Sequence, residues 1–225
     1  MQQFRFKQFA VSHEAAAMKV GTDGVTLGAW ARCSGRVLDV GCGCGLIGLM
    51  AAQRGATGVL MVEIEPAAAG EAATNAATSP WADIIETRCT DFLTLAEFEK
   101  FDNIISNPPF FATGELAPDP ARAAARHQGH LTPQAFMAKA ARLLAPGGRV
   151  SVIIPTDLGP DWEFAARIAG LNCKRRTGLF TRKRALEPRR LLLEFAGDGG
   201  DITPETSSLY IHSSAYQELV KDFYL

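Results

Sequence analysis

The stretch Asn107-Pro108-Pro109-Phe110 sets an amide, backbone carbonyls and an aromatic ring at the end of an apolar run, FDNIIS (101–106). Each proline fixes φ and lacks a backbone donor, so a strand cannot run on through the pair. The result is a stiff loop that offers acceptors and a flat face, which suits a planar polar group. A second set of residues lies upstream in DVGCGCGLIG. There Gly41, Gly43 and Gly45 separate a strand-like run from a helix-like one. Gly43, Gly45 and Gly48 match G-x-G-x-x-G, and Glu63 follows Gly43 by 20 residues. Glycines let backbone approach a ligand closely, and an acid at the next strand end can hold a ribose diol. Asp39 precedes the glycines and Asp91 follows a further apolar run. The pattern fits binding of a nucleoside, by a nicotinamide oxidoreductase or by a nucleoside-binding transferase.

Such residues need a scaffold that brings strand ends together. RVLDVG (36–41), GVLMVEIEP (58–66), IIETRC (84–89), FDNIIS and RVSVIIP (149–155) read as strands. Helix-forming runs alternate with them: residues 25–32, LIGLMAAQRG (46–55), AAAGEAATNAATS (67–79) and TPQAFMAKAARLLAPGG (132–148). The last opens with Thr132 as cap and Pro133 at its first position. LNCKRRTGLF (171–180) and RRLLLEFAG (189–197) are expected to pair antiparallel at one edge. LYIH (209–212) and AYQELVKDFY (215–224) read as a final strand and helix. Alternation of this kind predicts an α/β fold. The expected form is a Rossmann-like, seven-stranded, mostly parallel sheet with one antiparallel edge strand and helices on both faces. A single domain is expected over 1–225: a covering segment (1–30), a core (31–196) and a C-terminal extension (197–225). In open α/β sheets ligands bind outside the carboxyl ends of strands. Asp39, Glu63, Asp91 and Asn107 would therefore converge on one crevice.

Composition narrows the setting. Net charge is −1 and 47% of the 225 residues are hydrophobic, so a large core is possible and any polyanion surface must be local. The five cysteines are scattered with no CxxC pair, which argues against a disulfide framework or a zinc site and for a reducing compartment. The N-terminus MQQFRFKQFAV lacks a signal-peptide apolar run, and no stretch reaches the ~18 apolar residues of a membrane span. A soluble cytoplasmic protein with no metal and no membrane partner is expected.

The order DVGCGCG … VEIEP … TD … NPPF resembles class I amino-methyltransferases, which use S-adenosyl-L-methionine on a planar nitrogen. The resemblance implies that Gly41, Gly43 and Gly45 hold the methionine end of the cofactor, Glu63 its ribose and Asp91 its adenine, with Asp39 beside them. It implies that the prolines Pro108 and Pro109 hold the Asn107 side chain and the Pro108 carbonyl over the target amine, with Phe110 stacked on the flat group. Such motifs usually carry tyrosine where this chain has Phe110, so a ring face is kept and a hydroxyl is lost. FKQFAVSHEAAAMKVGTDGVTLGAWA (6–31), SPWADIIE (79–86) and EPRRLLLEF (187–195) resemble the bacterial tRNA1(Val) (adenine(37)-N6)-methyltransferase family. That resemblance covers nearly the whole chain. It implies methylation of adenine 37 in the anticodon loop of a valine tRNA, and places Lys19, Gly21 and Asp23 near the cofactor.

Charge points the same way. KRRTGLFTRKRALEPRR (174–190) holds eight basic residues and one acid. Lys174, Arg175, Arg176, Arg182, Lys183, Arg184 and Arg189 are expected to bind RNA, with Phe180 stacking on an unpaired base. The competing reading is a solvated basic edge that discourages sheet pairing. Two other functions remain open: a protein glutamine N5-methyltransferase, which shares the proline loop, and a non-catalytic RNA-binding protein of the same fold.

Overall fold

A computed structural model describes residues 3–109, 131–182, 184–197 and 203–225. Phe110 and Lys183 lie outside the described residues. A short antiparallel hairpin, β1 (Gln3–Arg5) and β2 (Ala10–Ser12), leads into α1 (Thr22–Trp30). Then follow β3 (Gly35–Val40), α2 (Leu46–Gln53), β4 (Ala56–Glu63), α3 (Pro66–Ala77), β5 (Ile85–Cys89) and β6 (Phe101–Ser106). The chain continues through α4 (Pro133–Leu143), β7 (Leu144–Pro155), α5 (Gly159–Ile168), β8 (Asn172–Phe180), β9 (Arg190–Ala196), β10 (Glu205–Tyr210) and α6 (Ser214–Val220). No described helix is long and apolar enough to cross a membrane.

The main sheet runs β10-β8-β9-β7-β6-β3-β4-β5. Pairing is parallel except that β9 is antiparallel to both β7 and β8. The fold expectation therefore holds, with two corrections. The described residues give this sheet eight strands, not seven, and the reversed strand is interior rather than at an edge. The reason is burial. Leu191 to Ala196 are all buried, as a strand covered on both faces must be, whereas β10 exposes all but Leu209 of its six residues. A polar strand makes the safer edge. Helix α5 and the β1–β2 hairpin add to the elements read from sequence.

Side chains alternate between two cores. Val37, Val59 and Met61 face one layer, with Leu27 of α1, Met50 of α2 and Ala72 of α3. Leu38, Val40, Leu60 and Val62 face the other, with Phe136 and Met137 of α4 and Trp162 of α5. This period of two on central strands explains why their sequences read as continuous apolar runs. Thr132 caps α4 as expected, its hydroxyl accepting from Ala135 N at 3.1 Å, with Pro133 in the first turn.

The chain ends meet on one flank. Lys7 N donates to Phe223 O at 2.9 Å, Gln53 Nε2 donates to Asp222 O at 2.8 Å, and the Phe6 and Tyr224 rings stack at 6.0 Å. Tyr216 of α6 sits 3.2 Å from the Thr26 hydroxyl of α1. The hairpin and the last helix thus brace α1, whose first turn reaches the strand ends.

Candidate active site

The strand order reverses between β3 and β6. Strands β3, β4 and β5 run to one side, β6 and β7 to the other. In an open α/β sheet this switch point is where loops diverge and leave a crevice. Ser106 Oγ donates to Val40 O at 2.8 Å and locks the two strand ends together. The glycine loop leaves one end, and Asn107 leaves the other.

Asp39 is fully buried and points to the α2 side, where its Oδ2 accepts from Gly48 N at 2.8 Å. A side chain at Gly48 would meet Met61 Sδ at 2.5 Å, so only glycine lets α2 lie this close to β4. Burial, only partly offset by that hydrogen bond and aided by the nearby Glu63 charge, pushes the Asp39 carboxyl up to about 7. Gly41 and Gly43 take positive φ, 66° and 54°. A Cβ built on Gly41 would meet no atom of the described residues within 4 Å, so that backbone faces open space among them. Burial also pushes the thiols of Cys42 and Cys44 up, the latter to about 11.

Glu63 grips this loop. Its Oε2 accepts from Gly43 N at 2.9 Å, and its Oε1 accepts from Ile64 N at 2.8 Å and Glu65 N at 3.1 Å. Asp91 caps the short turn after β5 by accepting from Leu93 N at 2.8 Å. The neighbouring Thr90 N donates to Glu63 O at 2.9 Å, so the two acids sit at adjacent strand ends.

The N-terminal segment is tied down from α3. Asn75, 2% exposed, accepts from Ser12 N at 3.0 Å. Its amide donates to Ser12 O at 2.8 Å and to Cys44 O at 2.9 Å. One side chain therefore joins β2 to the glycine loop. Glu71, one turn earlier, accepts from the backbone of Glu14, Ala15 and Ala16. Lys19 Nζ folds back onto His13 O and Glu14 O at 2.6 and 2.8 Å.

These elements enclose a cavity of about 480 Å³, lined by Lys19, Gly21, Asp23, Gly41, Gly43, Asn107 and Arg189 among others. Asn107 Oδ1 is buried and has no hydrogen-bond partner among the described residues. Of the residues read from sequence, Asp39 and Gly45 stand behind this lining, and Glu63 and Asp91 lie beside it at the next strand ends. Met18, Thr22, Thr181, Arg190 and Ile211 also line it and were not anticipated. The pairing of Arg190 Nε with Asp23 Oδ2 at 2.8 Å joins the start of β9 to α1 across the cavity wall. Two residues separated by 167 positions left no local signal of that pair.

The basic strip is only partly a surface. Arg175 binds the buried Glu194 at 2.7 Å and stacks over Trp30, its guanidinium 4.0 Å from the ring centroid. Arg176 pairs with Glu163. Phe180 is 8% exposed and stacked on Tyr210 at 4.7 Å, so it presents no free ring face, contrary to the stacking role expected. Lys174 is half-buried, whereas Arg182, Arg184 and Arg189 are exposed.

Comparison with known proteins agrees with this arrangement. Residues 26–180 match the model of the methyltransferase small domain family. The chain is 42% identical over 230 residues to a tRNA1(Val) (adenine(37)-N6)-methyltransferase of Bacteroides thetaiotaomicron, covering 99% of this chain and 97% of that one. It is 41% identical over 238 residues to the protein of that name from Yersinia pestis, covering 99% and 93%. Among solved structures, a putative RNA methyltransferase of Pyrococcus horikoshii superposes with a TM-score of 0.53 at 19% identity over 72% of both chains. The ribosomal protein L11 methylase of Lactobacillus delbrueckii gives 0.53 at 22% identity over 77% and 76%. These two likenesses show the class I methyltransferase fold. With a matching domain model and relatives near 40% identity over almost its full length, the chain belongs to the tRNA1(Val) (adenine(37)-N6)-methyltransferase family.

Proposed function

We propose that the protein transfers the methyl group of S-adenosyl-L-methionine to N6 of adenine 37, beside the anticodon, in a valine tRNA. The observation that carries this reading is Asn107 Oδ1, buried and without a partner among the described residues, at a cavity shared with the glycine loop. An orphaned buried acceptor costs ~1–3 kcal/mol, and a substrate N–H removes that cost. The cofactor fits the chain as well: Gly41 backbone faces open space among the described residues, and acids stand at the ends of the next two strands.

In this reading Gly41, Gly43 and Gly45 take the methionine end, Glu63 the ribose hydroxyls and Asp91 the cofactor adenine. Lys19, Gly21 and Asp23 cover the site. When bound, the cofactor supplies an electrophilic methyl on a positively charged sulfur. Adenine N6 is a poor nucleophile because its lone pair is delocalised into the ring. Asn107 Oδ1 and the Pro108 carbonyl accept its two hydrogens and favour a more tetrahedral nitrogen, where lone-pair density returns. The N6–CH₃ bond forms as the S–CH₃ bond breaks, and the extra proton leaves N6 for water. Phe110, outside the described residues, is assigned the stacking role by its place in the motif. The raised thiols of Cys42 and Cys44 stay protonated at neutral pH, so neither competes for the methyl group. The exposed Arg182, Arg184 and Arg189 serve the tRNA backbone. A tRNA substrate also places the enzyme in the cytoplasm.

Asn107→Ala tests this reading. Calorimetry should show cofactor affinity within about threefold of wild type, because uniform binding is untouched. Transfer to tRNA should fall about 10²–10³-fold, as for loss of one transition-state hydrogen-bond partner. Full activity in this variant would remove the basis of the assignment.

A further inference from the structure

The segment joining β8 to β9, residues 181–189, has an anchored base and an open tip. At its base, Arg189 N donates to Leu179 O at 2.9 Å and Thr156 Oγ1 donates to Pro188 O at 2.5 Å. Pro188 lies against Gly178, where an added Cβ would meet it at 3.1 Å. Ala185 N donates to Arg182 O at 3.2 Å, turning the chain at the tip. Thr181 and Arg189, the two ends of the segment, both line the cavity, so the segment springs from its rim.

Leu186 at this tip is 99% exposed, more than any other large apolar side chain among the described residues. Exposed Arg182 and Arg184 precede it, exposed Arg189 follows, and Glu187 is the one acid of the segment. A lone surface leucine usually means nothing. This one sits on a rigid base, among cations, beside a cavity that must receive a base out of a stacked loop. Extruding a nucleotide leaves a gap in the stack, and an apolar side chain that fills the gap lowers the unstacking cost.

We propose that Leu186 is the wedge that occupies the place of the extruded adenine in the anticodon-loop stack, while Arg182 and Arg184 hold the phosphates on either side. This rests on the tRNA reading above. The partner is a single-stranded, stacked RNA loop. The segment thus carries both affinity, through its arginines, and extrusion, through its leucine.

The test uses the full-length enzyme and a valine tRNA transcript, unmodified or carrying 2-aminopurine at position 37. Wild-type enzyme should raise 2-aminopurine fluorescence on binding, the mark of an unstacked base. Leu186→Ala should bind within about threefold and keep its thermal midpoint, since the side chain is 99% exposed. It should lose the fluorescence rise and about tenfold in kcat, as the cost of unstacking is no longer offset. Leu186→Met should restore both. Arg182→Ala with Arg184→Ala should instead raise KM and lower the slope of log affinity against log salt by about 1.4, at ~0.7 per single-strand phosphate contact. A wild-type fluorescence rise and kcat in Leu186→Ala would overturn the wedge while leaving the methyltransferase reading intact. Absence of transfer by wild-type enzyme would overturn the parent reading itself.

Discussion

Asn75 offers a prediction in which stability and cofactor binding should change together. Its side chain makes hydrogen bonds to Ser12 N, Ser12 O and Cys44 O, between 2.8 and 3.0 Å, and is 2% exposed. Both partner residues are buried, Ser12 at 8% and Cys44 at 4%. Asn75→Ala leaves one donor and two acceptors without partners. Each such loss costs about 1–3 kcal/mol, but neighbouring losses do not add, and a water entering the vacated space recovers part. A net destabilisation of about 2–4 kcal/mol is expected, which at ~2–4 °C per kcal/mol lowers the midpoint by roughly 5–15 °C. Because Cys44 belongs to the glycine loop, KM for the cofactor should rise at least about threefold with little change in kcat. Asn75→Asp should be no better than alanine, since a carboxylate would face two carbonyls. Glu71→Ala releases the exposed backbone donors of Glu14 and Ala15, which water can satisfy, and the part-buried one of Ala16, so it should cost less than Asn75→Ala. Thermal denaturation and cofactor titration of the three variants decide it. An Asn75→Ala protein with an unchanged midpoint and an unchanged KM would refute the idea that this side chain couples β2 to the loop.

Glu194, 1% exposed between Arg175 and Arg32, should be costly to truncate. Glu194→Ala takes the carboxylate from Arg175, 25% exposed, and Arg32, 60% exposed, so water compensates part of the freed charge and about 1.5–3 kcal/mol should be lost in urea denaturation; a loss below ~0.5 kcal/mol would contradict the pairing. Asp39, with its carboxyl held near 7, gives a pH signature. A cationic cofactor favours the charged form, so its binding should strengthen as pH rises from about 6 to 8 and should release a proton. Without ligand the sign is opposite: a raised native pKa means stability is lost as pH rises from about 4 toward 7. Calorimetry in two buffers of different ionisation enthalpy measures the proton, and Asp39→Asn should abolish the pH-dependent part. A flat affinity profile for wild type would contradict the assignment.

Much of the site was written locally. The glycine loop, its acid and the proline loop each follow an apolar strand, and a short window shows strand, turn and helix together. Thr132 and Pro133 announced α4 for the same reason. What a window cannot show is who lies beside whom. LLLEFA in β9 is apolar on both faces apart from Glu194, and the polar ETSSLY in β10 is not, so the clue to an interior reversed strand was present but needed the pairing of distant segments. The basic strip misled in the same way. Arg175 and Arg176 were counted as charges, but their carboxylates, Glu194 and Glu163, come from other elements. Arg190 and Asp23 meet only because β9 begins beside α1 at the cavity.

The measurement that bears most directly on the account is transfer of labelled methyl from S-adenosyl-L-methionine to tRNA from cells lacking this modification, followed by nucleoside analysis and mapping. The account predicts label in N6-methyladenosine, at adenine 37 of a valine tRNA. Label in glutamine of an added protein, or none in any acceptor while the cofactor still binds, would contradict it.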